Sequence, residues 1–557
     1  MIHYYGYDEN MGVEQSKCKC LYLPAQSGKT RKMEELIKDY KLGELFDPVD
    51  INIIISANNK LLVEQTKSRM TKDLATDSEE GASDACIRGS VFSWTSGTKE
   101  SNISSGELAF RLLDGEIEMV VICAHATRLR HLFQTLESLA SSRTFTKKIN
   151  IWIDEADKSI NLWSKYEDAI ARSRCIKQVT LVSATFDAVV SKYKSLCVLP
   201  YFQTHPKCYR GLRSAVRHEI NFVGSASEYV KHVVETNCEL TKPGMRAFIP
   251  GSLEKASHDA IADFLHKEHR FVVIIINGER KEILIPDCKP IDLRCYLTVE
   301  NGEVPTEFNV QLAKLYKANN WSRFPLAITG FYCVERGVTF QCGPEEGECI
   351  QHDGFMFDYG IIPPIACAAE AYQTMARLFG NVGNIPNYKP VEVYTNFTTF
   401  TRAEKQENIA INVARMVMQQ NLEFVSKKEL KVAELGEDEV IKMCRIYRDE
   451  DMVRGACKVL GYTYRTSSTN DAGFKETSLN AKTCVASLNS AVMKVKTGYG
   501  TNHGDKTYRT CYPCYVDTAN SATLRFVVII RPDTEQKKID ECDLQFKPLT
   551  LVEAMSL

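Results

Sequence analysis

Three short strings in this chain carry residue types that can handle phosphate, and each follows an apolar run. CLYLPAQSGKT ends in Gly28, Lys29 and Thr30; IWIDEAD ends in Asp154, Glu155, Ala156 and Asp157; TLVSAT ends in Ser183, Ala184 and Thr185. The β- and γ-phosphates of a nucleotide need backbone N–H donors, a cation and a helix N-terminus aimed at them. Gly28 lets the backbone approach closely, Lys29 supplies the cation, and Thr30 offers a hydroxyl to Mg²⁺. Gln26 and Ser27 complete the loop that would wrap the phosphates. Asp154 can hold Mg²⁺ through water, while Glu155 can orient and deprotonate an attacking water. A bare Gly-Lys-Thr is a weak signal, and an acidic pair at a strand end can simply cap a helix. The three strings in this order predict hydrolysis of a nucleoside triphosphate.

The elements around these residues fit that chemistry. After the loop, Met33, Leu36 and Ile37 fall on one helical face. Ile151, Trp152 and Ile153 read as a buried strand, so the acids emerge at its C-terminal end, where open α/β sheets bind ligands. Apolar strands at 51–55, 119–123, 150–153 and 179–182 alternate with helical stretches, the pattern of a parallel sheet. The pattern breaks at FQTHPKCYRGLR (202–213), read as a solvated basic linker with Lys207, Arg210, Arg213 and Arg217. Strands return at 246–249, 271–276, 326–329 and 392–395, and 345–355 reads as an acidic loop insertion. From Arg402 to about Tyr447 the chain turns helical, with Ile409, Val413, Met416, Val417 and Leu422 on one apolar stripe. Residues 450–465 predict a short amphipathic helix ending near Gly461, and 509–532 two strands around a polar turn.

The strings also resemble the superfamily 2 helicases. LPAQSGKT is similar to that family's phosphate loop, A-P-T-G-S-G-K-T, at Pro24, Ser27, Gly28, Lys29 and Thr30; the family normally lacks the glycine that Leu23 replaces, and Gln26 for glycine is unusual. Residues 53–70 resemble its motif Ia, with Leu62 and Gln65 placed as in a nucleic-acid-contacting segment, and 120–132 resemble the next contact element, around Arg128. Residues 244–256 resemble motif IV, 328–340 motif V through Thr329, Gly330, Arg336 and Gly337, and 371–381 motif VI through Gln373 and Arg377. The likeness runs from about residue 20 to 385.

The resemblance implies two tandem RecA-like parallel-sheet domains, at 1–205 and 206–400, followed by a helical linker (401–447) and a small α+β C-terminal domain (448–557). It implies ATP and Mg²⁺ as cofactors: Thr30 and Asp154 on the metal, Gln26 to Thr30 with Arg336 and Gly337 around the nucleotide, and Lys29, Asp154, Glu155, Gln373 and Arg377 in catalysis. Ser183 and Thr185 would link hydrolysis to domain movement on the polynucleotide side, with Gln65 and Arg128 on the track. Two departures stand out. Ala376 replaces the usual glycine of motif VI, and Gly380 stands where a second arginine normally reaches the γ-phosphate, leaving that work to Arg377 alone or with Arg336 assisting. About twenty residues precede the loop, too few for the adenine-reading Q motif of DEAD-box RNA helicases, so the letters DEAD do not make this a DEAD-box protein.

Composition narrows the class. At 557 residues with 44% hydrophobic content, the chain is long enough for three or four domains with ordinary cores. No apolar stretch approaches the roughly 18–20 residues of a membrane span and no signal peptide is read, so an intracellular protein is expected, cytoplasmic or nuclear, of a lineage like the helicases of large DNA viruses and phages. Twenty cysteines lie largely in strand-like runs and fit a reducing compartment. Cys511 and Cys514 form C-x-x-C, yet a second ligand pair for a structural zinc is missing. The net charge of −2 gives no global pull on nucleic acid, so any track must be a local groove. Its best auxiliary candidate is 493–515, where Lys494, Lys496, Lys506 and Arg509 interleave with Tyr499, Tyr508, Tyr512 and Tyr515. The expected activity is ATP-dependent movement on nucleic acid, DNA ahead of RNA, by a chain that can act as a monomer with replication, transcription or repair partners. A scaffold with a degenerate ATPase is the alternative, and a P-loop kinase or GTPase leaves the later strings unexplained.

Overall fold

The structure, a computed structural model, describes residues 18–42, 49–58, 90–95, 102–185, 187–192, 195–198, 207–293, 308–331, 340–344, 354–385, 388–420, 424–427, 443–464, 510–516, 523–531 and 533–550, with a few single positions between them. The chain divides into two compact units, one holding Gly12–Val189 with His205–Glu407, the other Val190–Thr204 with Asn408–Leu557.

The larger unit contains two sheets. The first is built from β1 (Cys18–Tyr22), β2 (Ile51–Ser56), β3 (Ser90–Trp94), β4 (Ile117–Cys123), β5 (Ile149–Asp154) and β6 (Ile176–Ser183). Within this unit its order is β1-β6-β5-β2-β4-β3, and every pairing is parallel. Runs such as Ile53–Ile55 and Ile151–Ile153 are wholly buried, as a parallel sheet covered on both faces demands. Asn52 on β2 is buried among them because its side-chain oxygen accepts the indole N–H of Trp152 on β5 at 2.9 Å. Helices α1 (Lys29–Leu42), α2 (Ser105–Asp114), α3 (Ala126–Ser141) and α4 (Ala156–Trp163) lie along the chain between these strands. Met33, Leu36 and Ile37 of α1 are fully buried. Ser104 caps α2 by accepting the Glu107 N–H, and Gly115 closes it in the left-handed region.

The second sheet is built from β7 (Val216–Glu219), β8 (Arg246–Phe248), β9 (Val272–Ile276), β10 (Lys281–Leu284), β11 (Ile291–Asp292), β12 (Leu326–Thr329), β13 (Tyr359–Ile361) and β14 (Glu392–Thr395). Its order is β11-β10-β9-β12-β8-β13-β14-β7. The strands from β9 to β7 in that order are parallel, and β10 and β11 extend the β9 edge antiparallel. Helix α5 (Ala226–Thr236) starts with a full capping box, Ser225 and Glu228 satisfying each other's backbone. Helices α6 (Lys255–Asp263), α7 (Ala368–Met375) and α8 (from Phe397 to Gln420) follow. The two sheets are tandem RecA-like α/β layers, as the sequence predicts.

The segment expected to be a solvated linker is not one over its described part. Tyr209 and Leu212 are buried, and Arg210 pairs its backbone with Gly380 in both directions, at 2.7 and 2.9 Å. Their apolar and hydroxyl surfaces have partners 170 or more residues away, which a local reading of charge does not reveal.

In the smaller unit, β15 (Cys444–Tyr447), β16 (Cys511–Tyr515) and β17 (Leu524–Ile529) form an antiparallel sheet ordered β15-β17-β16. Helices α9 (Glu450–Leu460) and α10 (Gln536–Gln545) accompany it, α9 capped by Asp449 and closed by Gly461 at φ 76°. Buried Arg445 is held by both carboxylate oxygens of Asp543, at 2.6 and 2.8 Å. Cys511 and Cys514 are buried in β16, and burial pushes the Cys511 thiol up. Among the described residues no helix is long and apolar enough to cross a membrane.

Candidate functional site

The phosphate-type loop sits where β1 ends. Leu23 N–H reaches the Ser183 carbonyl at 3.4 Å, and Ser27 turns back on Pro24 O through both its N–H (3.3 Å) and its hydroxyl (2.7 Å). Gln26 and Gly28 adopt φ of 58° and 95°, so two residues in three are left-handed. Glycine meets that requirement at 28 without cost, whereas Gln26 holds it under strain. The loop then delivers Lys29 and Thr30 into the first turn of α1, whose unbonded N–H groups face outward. That turn holds no acidic residue, which leaves its positive end open to an anion.

Facing the loop, β5 ends at Asp154. Glu155 follows at φ 50° and donates its N–H to Asp154 Oδ1 at 3.0 Å. The two carboxylates are 8% and 4% exposed. Burial raises the Asp154 carboxyl well above its usual range, Glu155 adds to the rise, and the Lys29 ammonium opposes it. A divalent cation beside Asp154 would restore its charge. The Thr30 hydroxyl and the Asp154 carboxylate are hard oxygen donors of the kind Mg²⁺ takes, the remaining positions falling to phosphate and water. Among the described residues no group of three or more His, Cys, Asp or Glu is placed to hold a metal without such a substrate.

Ser183 and Thr185, expected on the polynucleotide side, are buried at 0% and 2% exposure. Ser183 Oγ donates to Asp157 Oδ1 at 2.7 Å and Thr185 Oγ1 to Asp157 Oδ2 at 2.8 Å. Thr185 N–H returns to Ser183 Oγ at 3.1 Å. Their hydroxyls therefore fix the last acid of the DEAD string, in the first turn of α4, and face no open surface. Arg128 is also committed: it donates to the Thr95 carbonyl and to Asn102, and its guanidinium lies 5.0 Å from the Trp94 ring centre. Partial burial lowers its pKa.

The second sheet supplies the opposite wall. On α7 Gln373 is 1% exposed, and its amide nitrogen has no hydrogen-bond partner among the described residues. Arg377, in the turn after α7, is 4% exposed, and its carbonyl accepts from Gln341 Nε2 at 3.4 Å. Gly380 has φ 134°, and a Cβ there would come within 3.1 Å of both the Gln26 carbonyl and its Cβ. The glycine at the place of the expected arginine thus allows close docking on the loop. Asn381 follows, its amide 3.5 Å from where a Gly28 Cβ would lie.

These residues enclose one cavity of about 650 Å³. It is lined by Gln26, Gly28, Lys29, Thr30, Asp154 and Glu155 from the first sheet, and by Gln341, Gln373, Arg377, Gly380 and Asn381 from the second. Oriented donors and the half-buried Lys29 on one wall, and the buried Arg377 opposite, can bind a polyanion and stabilise charge that moves along it. Sequence reasoning brought Gln26, Gly28, Lys29, Thr30, Asp154, Glu155, Gln373 and Arg377 here; Ser27 is buried in the loop beneath them. It missed Gln341 and Asn381, and also Tyr209, Tyr372 and Glu407, which hold the loop from behind. Gln65, Arg336, Gly337, Lys494, Lys496 and Arg509 lie outside the described residues.

No family model matches the chain, and no curated protein matches it in sequence. Solved structures do match in fold. The DEAD-box helicase Mss116 bound to ssRNA and UDP-BeF is 10% identical, with 79% of this chain and 78% of that one covered and a TM-score of 0.41. The NS3-like helicase from Alongshan virus is 11% identical over 75% of this chain and 93% of its own, with a TM-score of 0.35. The Mycobacterium smegmatis helicase Lhr bound to ssDNA and AMP-PNP is 12% identical over 87% and 66%, with a TM-score of 0.38. The chain is similar to these helicases.

Proposed function

We propose that this chain is an ATP-dependent helicase or translocase of superfamily 2 type, hydrolysing ATP to move on or unwind nucleic acid. The observation that carries the reading is the cavity shared by the two sheets, with Lys29, Asp154 and Glu155 on one wall and Gln373 and Arg377 on the other. The triphosphate lies along the turn from Gln26 to Thr30, its charge met by the Lys29 ammonium and the N-terminus of α1. Thr30 and Asp154 would hold Mg²⁺, which when bound would neutralise phosphate charge. Glu155 orients and deprotonates the attacking water, and Arg377 stabilises the charge that develops on the transferred group. Asp157, fixed by Ser183 and Thr185, ties the acid-bearing strand end to the end of β6. A rearrangement after hydrolysis can therefore pass between neighbouring strands of the first sheet. Motor domains over about 1–205 and 206–400 would carry the two sheets, with accessory segments beyond about residue 400; Cys444–Tyr447, expected in a helical linker at 401–447, pairs instead with a strand of the segment expected at 448–557.

The deciding experiment is ATP hydrolysis by the full chain with and without single-stranded DNA, duplex DNA and RNA. Lys29→Ala and Glu155→Gln serve as inactive controls. Stimulation by one polynucleotide, absent from both variants, supports the motor and identifies its track. The alternative, a nucleic-acid scaffold with a degenerate ATPase, draws on Gly380: the wall it belongs to presents Arg377 without the second arginine of the resemblance. Polynucleotide binding with no hydrolysis under any condition would favour that reading.

A further inference from the structure

The phosphate loop is gripped from the second sheet at Ala25, through the two peptides that flank its Cα. Ala25, 3% exposed, donates its N–H to Tyr372 Oη at 2.8 Å and accepts the Tyr209 hydroxyl at its carbonyl, at 3.3 Å. Tyr372 precedes Gln373 on α7, and Tyr209 lies in the segment that leads into β7. The Tyr209 hydroxyl also reaches Glu407 Oε1 at 2.9 Å, while Glu407 Oε2 accepts the Leu212 N–H at 2.8 Å. Tyr372, Tyr209 and Glu407 are 0%, 7% and 1% exposed, so water does not replace these bonds. Gly211 makes room for the carboxylate: a Cβ there would fall 2.4 Å from Glu407 Oε1, so the approach depends on a bare backbone. Ala25, Tyr372, Leu212 and Phe379 share one buried apolar cluster.

The loop is sensitive at this point. Ala25 immediately precedes left-handed Gln26 and lies two residues before Ser27, so a shift of its peptide plane moves the donors that follow. A buried N–H without a partner is costly, and Tyr372 is what meets it. Tyr209 has one hydroxyl hydrogen and faces three acceptors, the Ala25 carbonyl, the Glu407 carboxylate and the Tyr372 hydroxyl. The carboxylate thereby holds the tyrosine in place against the loop.

We propose that Tyr372, Tyr209 and Glu407 are positioning residues that set the phosphate loop in its nucleotide-binding shape from the second sheet, so that nucleotide affinity depends on the docking of the two sheets. The proposal rests on the reading of the cavity as a nucleoside triphosphate site. None of the three side chains lines that cavity, so each acts through Ala25.

The test measures the Kd of a fluorescent mant-ATP with Mg²⁺, together with kcat and KM for ATP hydrolysis, on the full chain. Tyr372→Phe removes one oxygen and keeps the ring; Kd and KM are expected to rise about ten-fold while kcat stays within about two-fold. Tyr209→Phe should raise both about three-fold, because a carbonyl tolerates a missing donor better than an N–H tolerates a missing acceptor. Glu407→Ala should match Tyr372→Phe, and Glu407→Gln, which keeps polar groups for Tyr209 and the Leu212 N–H, should recover most of that loss. A merely structural role would leave Kd and KM unmoved in Tyr372→Phe, and that result overturns the proposal. So does a fall in kcat at unchanged Kd. If Glu407→Ala fails to fold, Tyr372→Phe still decides. A folded wild-type chain that fails to bind mant-ATP removes the nucleotide-site reading itself, an outcome distinct from tight binding that Tyr372→Phe leaves intact.

Discussion

The two walls of the cavity are built by different means. On the first-sheet wall the backbone does the positioning: a strand end, two left-handed turn residues and a helix N-terminus put Gly28, Lys29 and Thr30 in place within a few residues of chain. On the second-sheet wall the positioning falls to side chains. Gln341 holds the Arg377 carbonyl and the Phe357 N–H, and the Tyr209–Glu407 pair holds the segment leading into β7. The first wall is local in sequence, and it answers to how the sheets dock through its contacts at Ala25 and Gln26. The second is assembled from distant pieces and is complete only when they meet. Chemistry should belong to the first wall and control to the second.

The largest effect expected is at Glu155. Glu155→Gln keeps shape and burial and removes the base, and kcat should fall by about 10³–10⁴ with KM for ATP held within a few-fold. Single-turnover hydrolysis with excess enzyme measures it directly. Arg377→Ala comes next, with a loss of about 10²–10³ in kcat if the arginine supplies one preorganised donor to the transition state. A loss as large as that at Glu155 would break the contrast between the walls, since chemistry would then be shared equally.

How much of this was legible follows the same division. The strands bearing the acids and the loop were readable because a parallel sheet buried on both faces writes itself as continuous apolar runs, such as Ile151–Ile153 ending at Asp154. Helix α1 announced its buried face through Met33, Leu36 and Ile37. The second wall left little trace. Tyr372 and Ala25 are 347 positions apart, and Tyr209 and Glu407 are 198 apart, so no local pattern joins them. Glu407 had one signal that went unread: it lies on a stripe with Ala403, Ala410 and Ala414, all buried, where an acid requires a partner. Gly380 was read as a missing arginine, although its φ and its contact with Gln26 make it a packing requirement. Ser183 and Thr185 were recognised as a motif, but their hydroxyls point at Asp157, a direction that residue type alone does not give.

Gly380→Ala gives the third effect. The added Cβ meets the Gln26 carbonyl and the backbone is already at φ 134°, so the cost should be about 1–3 kcal/mol, concentrated in sheet docking. The expected readout is a several-fold rise in KM for ATP with a modest fall in melting temperature. A large melting change at unchanged KM would place the strain in folding and separate Gly380 from control of the site.

The smallest effect, and the one that reads the second wall most directly, is in pH. Burial lifts the Glu407 carboxyl from its ordinary 4.5 to about 7, against opposing hydrogen bonds from Tyr209 and Leu212 and the charge of Arg213. Its folded pKa lies above its unfolded one, so between about pH 4.5 and 7 the folded chain binds more protons, and the group's contribution to stability falls as pH rises, levelling off above pH 7. The span corresponds to about 3 kcal/mol at most, and less where the fold relaxes around the charge. Glu407→Gln carries no such dependence. The variant should therefore gain on the wild type in melting temperature as pH is raised from 5 to 8, with the difference flat above that range. If Glu407→Gln tracks the wild type at every pH, the carboxylate is not carrying a buried charge at the junction. The Tyr209–Glu407 contact would then rest on the neutral acid, and the grip at Ala25 would fall to the Tyr372 hydroxyl.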